Sequence, residues 1–193
     1  MTSSKQKIWF ILGLSGAGKS HFSDYLMKKR NWLHLDIDKY FKMDDTNYGD
    51  GIDEYGLRPS WKEFEQNKNI DPLVREITRQ YQNNRKSGAV LSFPSDRIIS
   101  SEDIKVLEGN IKVIYLASTK ENCLKAFLER EVTTPRVSKE INKYDHWDQY
   151  NRSLLEKLSE QSLISYKFDT FEKDGTRKSE DQIYTEINGR DYT

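Results

Sequence analysis

The sequence predicts an α/β protein: five strands in a parallel sheet, sandwiched between helices. Three observations predict it. Short apolar runs recur along the chain, helical patterns fall between them, and a glycine-rich turn, GLSGAGKS, separates the first run from the first helical stretch. Strands that alternate with helices need crossover connections, and these cover both faces of a parallel sheet.

The elements follow in order. The run IWFILG (8–13) is apolar throughout and IKVIYLA (111–117) nearly so. Both read as central strands, covered on each face. The helical pattern 18–30 follows the glycine turn. In WLHLDI (32–37) Leu33, Leu35 and Ile37 alternate with His34, Asp36 and the following Asp38. That pattern suits a strand with one more polar face, near a sheet edge. Residues 71–86 open with Asp71-Pro72, read as an N-cap and a proline at the first helical position. AVLSF (89–93) is the third strand. Residues 101–108 and 119–130, the latter with a Ser/Thr-rich cap, are helical, as are 145–161. SLISYKF (162–168) is the fifth strand, and 178–189 the last helix. Two stretches lack periodicity: 42–60, rich in Asp, Gly, Tyr and Asn, and 131–147, containing TTPR and KYDHW. Connections of that length often serve as lids or binding loops.

Composition narrows the partners. The 193 residues suffice for one domain with a substantial core. Aromatic residues at 12% argue against disorder despite 32% charged residues. Lys+Arg and Asp+Glu balance at 31 each. The chain therefore has no global pull toward nucleic acid or anionic lipid, while a local basic patch stays open. Cys123 is the one cysteine. It cannot form an intrachain disulfide, fits a reducing compartment, and within NCLKAFLER reads as a small buried group. No signal peptide and no bilayer-spanning run is visible, so a soluble cytoplasmic protein without membrane partners is expected. Three scattered histidines and one cysteine offer no metal-ligand cluster. The oligomeric state cannot be read.

GLSGAGKS (Gly13–Ser20) satisfies G-x-x-x-x-G-K-[ST], the Walker A pattern, without a mismatch. Each part has a reason. Gly13, Gly16 and Gly18 allow a tight turn and close approach to an anion. Loop N–H groups, Ser15 and Ala17 among them, converge on phosphate with help from the following helix N-terminus. Lys19 reaches the β- and γ-phosphates, and the Ser20 hydroxyl can ligate Mg²⁺. The nucleotide-binding stretch runs on through His21, whose ring reads as a packing group rather than an acid or base. A chance glycine turn is the alternative, and the strand before and helix after it count against that.

Asp36 and Asp38, two apart on an extended strand, project to one side. They sit at the strand's C-terminal end, where open α/β sheets bind ligands. Taken with GLSGAGKS and the segment LEREVTTPR, the motif LDIDKYF resembles the P-loop kinases of the shikimate kinase and gluconate kinase type. A broader likeness extends to nucleoside monophosphate kinases. The resemblance runs over most of the chain, to about residue 170. It implies the P-loop NTPase fold with strand order 2-3-1-4-5, in one kinase domain spanning 1–193. It implies a substrate-binding region at about 39–87 and a lid at about 130–147. It also implies ATP with Mg²⁺ as phosphoryl donor. Asp36 then makes a water-mediated Mg²⁺ contact. Asp38 accepts a hydrogen bond from the substrate hydroxyl and takes its proton. Read without the resemblance, both aspartates simply cap the loop 38–47 and face water.

The third run ends as VLSFPSDR, with Ser92 in the strand and Asp96 beyond Phe93-Pro94. The missing strand-end aspartate favours the small-molecule kinases over GTPases and ATPase motors. Ser92 or Ser95 can hold substrate or a metal-bound water, and Arg97 an anionic substrate group. A proline-shaped turn is the alternative. Transferred phosphoryl groups spread negative charge that positioned arginines stabilise. Arg130 and Arg136, on either side of VTTP, occupy the lid. Arg58 in GLRPSW can pair with a carboxylate or phosphate. Trp61 and Phe64, three apart on a possible short helix, read as core. Tyr144, His146 and Trp147 read as docking residues of the next helix more than as a base-stacking set.

The leading function is an ATP- and Mg²⁺-dependent kinase acting on a small-molecule hydroxyl. One rival phosphorylates nucleotides or nucleic acid, using aromatics of the irregular regions to stack bases; charge neutrality disfavours the polynucleotide version. Another is a regulatory nucleotide-binding ATPase. TKEN (119–122) does not supply an N-K-x-D guanine signature.

Overall fold

The computed structural model describes residues 7–36, 56–92, 101–135, 137–158 and 166–189. Their elements are β1 (Ile8–Leu12), α1 (Lys19–Arg30), β2 (Leu33–Asp36), α2 (Arg58–Asn67), α3 (Asp71–Asn83), β3 (Ala89–Ser92), α4 (Ser101–Glu108), β4 (Lys112–Ala117), α5 (Lys120–Thr133), α6 (Lys143–Leu158), β5 (Tyr166–Asp169) and α7 (Glu180–Gly189). The strands form one parallel sheet in the order β2-β3-β1-β4-β5, sandwiched between helices. β1 and β4 are buried at every position, as strands covered on both faces must be. β2 is an edge strand, as its alternation predicts.

The chain clusters into two compact units. The first contains β2, β3 and β1 as far as Ile11, with most of α1 and all of α2, α3 and α4. Ala89 lies opposite both Ile8 and Leu33, and Ser92 opposite both Ile11 and Asp36. Phe10, Leu35, Leu73, Ile77 and Leu91 have no exposed surface. The α2 pair Trp61 and Phe64 is core, as its spacing predicts; their rings meet edge to face at 5.4 Å, and Trp61 lies 6.3 Å from Phe10. Lys112 is the exception to the apolar reading of β4. Its buried ammonium lies 5.2 Å from the ring centre of Trp9, whose face offers negative charge density.

One capping expectation is corrected here. Helix α3 starts with Asp71 inside its first turn, and Ile70 is the N-cap, without a side-chain hydrogen bond. Ile70 already has helical dihedrals and its carbonyl accepts from Val74 at 3.0 Å. Asp71 instead places its carboxylate at the positive helix end.

In the second unit, β4 from Ile114 onward pairs with β5, Ile114 opposite Tyr166 and Ala117 opposite Asp169. Phe22, Leu116, Cys123, Phe127, Trp147, Phe168, Ile183 and Ile187 are buried there. The Ser/Thr cap predicted for α5 is Thr119, which accepts from the Asn122 N–H. The aperiodic 131–147 stretch is shorter than predicted, because α5 continues to Thr133 and α6 begins at Lys143. Among the described residues no helix is long and apolar enough to cross a membrane.

Candidate active site

The glycine loop leaves β1 at Leu12 and enters α1 at Lys19. Ala17 donates to the Leu14 carbonyl at 3.0 Å, closing the turn, and Phe22 donates to Gly18 at 2.9 Å, starting the helix. Gly16 has φ +95°, and a Cβ there would overlap the Cys123 carbonyl on α5. Gly18 has φ +91°, and its Cβ position is taken by the Arg177 guanidinium. The strand–loop–helix context the motif needs is therefore present, with the backbone packed too tightly at residue 16 for any side chain. Lys19 arches back over the loop. Its Nζ donates to Gly13 O at 2.8 Å and Leu14 O at 3.2 Å, so the ammonium is held beside the loop backbone.

Helix α6 fastens this loop at one residue. Trp147 Nε1 donates to Ser15 O at 2.9 Å, and Ser15 N donates to Asn151 Oδ1 at 2.8 Å. Asn151 Nδ2 in turn donates to the Trp147 carbonyl at 2.7 Å. Trp147 and Asn151 have no exposed surface. Trp147 docks its helix, as predicted. Asn151 was not predicted; the signal that could have found it is its place four residues after Trp147, on the same helical face.

Ala17 is buried, and Ser20, second in α1, is half-buried. The packing role expected of His21 is not observed: its side chain is 74% exposed, with Nε2 3.8 Å from Glu180 at the start of α7. Position 21 is on the outer face of α1, while Phe22 turns inward. Cys123 is buried as predicted. Burial pushes its thiol up to about 11, against smaller lowering by a Ser118 hydrogen bond and the charges of Lys19 and Arg177. It is a neutral thiol at neutral pH.

In the first unit, Asp36 is 5% exposed, so it does not face water. It ends a chain of polar groups. His34 Nδ1 lies 2.8 Å from Asp24 Oδ1, His34 Nε2 lies 2.9 Å from Ser92 Oγ, and Ser92 Oγ lies 3.4 Å from Asp36 Oδ1. The polar face of β2 is thus buried, which its alternation did not predict; hydrogen bonding from α1 and β3 replaces water. A carboxylate only accepts, so Nδ1 carries hydrogen toward Asp24. In the neutral ring Nε2 then accepts the one Ser92 hydrogen. In the imidazolium Nε2 donates to Ser92 and frees that hydrogen for Asp36. Ser92, at 2% exposed, is a link in this chain.

No family model matches the chain. A shikimate kinase of Enterococcus faecalis is 29% identical over 137 residues, covering 68% of this chain and 74% of that enzyme. Among solved structures, shikimate kinase from Acinetobacter baumannii in complex with shikimate superposes with TM-score 0.52 at 17% identity, over 98% of this chain and 97% of that one. Shikimate kinase from Bacteroides thetaiotaomicron gives 0.50 at 12%, over 96% of each chain. The chain has the P-loop NTPase fold.

For a P-loop protein the residues fit the expected ligands. Gly16 and Gly18 form a cradle that side chains would fill. The Ser20 hydroxyl on α1 is a hard oxygen donor, the kind Mg²⁺ takes beside waters and phosphates. At the end of α5, Glu131 is buried and holds the segment that follows. Its buried carboxylate accepts from Arg130 Nη2 at 2.9 Å through one oxygen and from Val137 N at 2.9 Å through the other. The Arg130 guanidinium also lies 4.9 Å from the Phe127 ring centre. Arg130 therefore braces the end of α5. Arg58 opens α2. Asp38, Ser95, Arg97 and Arg136 lie outside the described residues.

Proposed function

We propose that this protein is an ATP- and Mg²⁺-dependent phosphotransferase that moves the γ-phosphate to a hydroxyl of a small molecule. The observation that carries this is the GLSGAGKS loop in its strand–loop–helix setting, with Lys19 held over it. The likeness to a shikimate kinase over most of the chain adds support.

In this function Lys19 and the loop N–H groups other than those of Ser15 and Ala17, which donate to Asn151 and Leu14, bind the phosphate chain, and Lys19 stabilises charge on the transferred group. Mg²⁺ would be held through the Ser20 hydroxyl and would neutralise charge on the phosphates; the resemblance to shikimate kinases assigns Asp36 a water-mediated contact to it. Asp38 orients the acceptor hydroxyl and takes its proton. Arg58, Ser95 and Arg97 hold the acceptor, and Arg130 and Arg136 serve the lid. The whole is one kinase domain, 1–193, with its substrate region at about 39–87 and lid at about 130–147. A reducing cytoplasm suits its lone buried thiol.

The test incubates purified protein with Mg²⁺ and γ-labelled ATP, with Lys19→Ala as control. One pool contains small metabolites, the other nucleotides and oligonucleotides. Label on a small metabolite is the expected result. Label on nucleotides or oligonucleotides would move the activity to the nucleotide or nucleic-acid kinases. Label released only as phosphate in both pools would favour a regulatory ATPase.

A further inference from the structure

The segment from Thr170 to Lys178, between β5 and α7, is a tight hairpin. Thr170, fully buried, donates twice to the Ala117 carbonyl at the end of β4, from N at 2.9 Å and Oγ1 at 3.1 Å. Lys178 N donates back to Thr170 O at 3.0 Å, and Glu172 N to Thr176 O at 2.7 Å. Phe171 and Arg177 face each other as an antiparallel bridge. At the tip, Asp174 accepts from Thr176 N at 2.8 Å, which holds its carboxyl below the usual range. The hairpin delivers one side chain to the phosphate loop: the Arg177 guanidinium stands against Gly18, at the point where a side chain on that residue would be.

Arg177 is exposed, and no carboxylate pairs with it among the described residues. The nearby Cys123 is a neutral thiol and supplies no counter-charge. Two cations, Lys19 and Arg177, thus flank one glycine turn from opposite directions in sequence. A guanidinium in that position suits bidentate contact with phosphate oxygens.

We propose that Arg177 is a phosphate-binding residue, holding the inner α/β end of a nucleotide's phosphate chain against the Gly18 end of the loop; this rests on the phosphotransferase reading. The inner end follows from position. Loop backbone at Gly18 cradles the α- and β-phosphates, while Lys19 serves the β- and γ-phosphates. ATP and ADP therefore depend on Arg177 equally.

The experiment measures equilibrium binding of ATP and of ADP, with Mg²⁺, to wild type, Arg177→Ala and Arg177→Lys by calorimetry. A charge-assisted hydrogen bond of ordinary strength predicts Kd raised about ten- to a hundredfold in Arg177→Ala, by the same factor for both nucleotides. Arg177→Lys recovers part of the loss. The side chain is exposed, so both variants melt with wild type. Unchanged affinity in Arg177→Ala would overturn the proposal, as would a loss confined to ATP. Tighter binding would overturn it too, by making Arg177 a plug. If wild type binds neither nucleotide, the phosphotransferase reading itself fails and this inference with it. If wild type binds both and Arg177→Ala matches it, the inference alone fails.

Discussion

Replacing Gly16 by alanine tests whether the loop is shaped by its packing or only by its sequence. Gly16 sits at φ +95°. Holding an L-residue in such a sparsely populated region costs about 1–3 kcal/mol. The added Cβ also meets the Cys123 carbonyl, which is helix backbone; Cys123 N donates to Thr119 O at 3.1 Å, so this turn of α5 cannot swing aside. Overpacking of that kind adds about 1–3 kcal/mol. The sum, about 2–6 kcal/mol, is a large part of an ordinary domain's total of about 5–15 kcal/mol. Gly18→Ala is the matched control. Its φ of +91° carries the same backbone strain, but the obstruction is the end of a flexible arginine. It should lose only the first contribution, about 1–3 kcal/mol. Urea unfolding of both variants beside wild type gives the difference directly. Gly16→Ala within 1 kcal/mol of wild type, or less harmful than Gly18→Ala, would refute the reasoning.

Further expectations concern other links in the structure. Asn151→Ala leaves the buried Ser15 N–H without its acceptor and should cost about 1–3 kcal/mol in urea unfolding. Trp147→Phe keeps most of the apolar packing while losing the bond to Ser15 O, and should cost less than Trp147→Ala in the same assay. The Cys123 thiol is raised from 9.0 to about 11, so the folded state binds its proton more tightly. Its contribution is whole below pH 9 and is lost as pH rises toward about 11, a fall of about 2–3 kcal/mol. Cys123→Ala should delay the fall to above pH 10, where Tyr115, also raised by burial, takes over. Stability curves against pH that coincide for the two proteins would contradict this. Asp38→Asn should lower kcat about 10²- to 10⁴-fold with ATP affinity unchanged; full activity would remove Asp38 from the proton-transfer role.

The strands could be anticipated because parallel strands buried on both faces leave unbroken apolar runs, as in IWFIL and the end of KVIYLA; their order followed from the resemblance carried by GLSGAGKS and LDIDKYF. Trp61, Phe64 and Cys123 were readable as core for another reason: their neighbours repeat at helical spacing. What escaped were contacts between residues far apart in the chain. Nothing local in KDGTRKS marks Arg177 as a neighbour of Gly18, since only the turn after β5 brings them together. His34 and Asp36 looked like a wet strand face because alternation reports polarity, not burial. Only the Asp24 and Ser92 side chains, from α1 and β3, explain why that polarity lies inside. Asp71 was misread by one position because a helical Ile70 looks, in sequence, like the end of a loop.

The grip of α6 on Ser15 has a consequence for motion. Both backbone groups of that one residue are spoken for by a single helix turn, so the loop cannot loosen at its centre while α6 stays seated. Local openings in proteins come in cooperative groups that share such bonds. The Ser15 amide should therefore trade its hydrogen for deuterium at the rate at which α6 detaches, in step with the buried amides of that helix. A slow Ser15 proton beside faster ones in the rest of the loop would make this residue a built-in clock for the helix's departure.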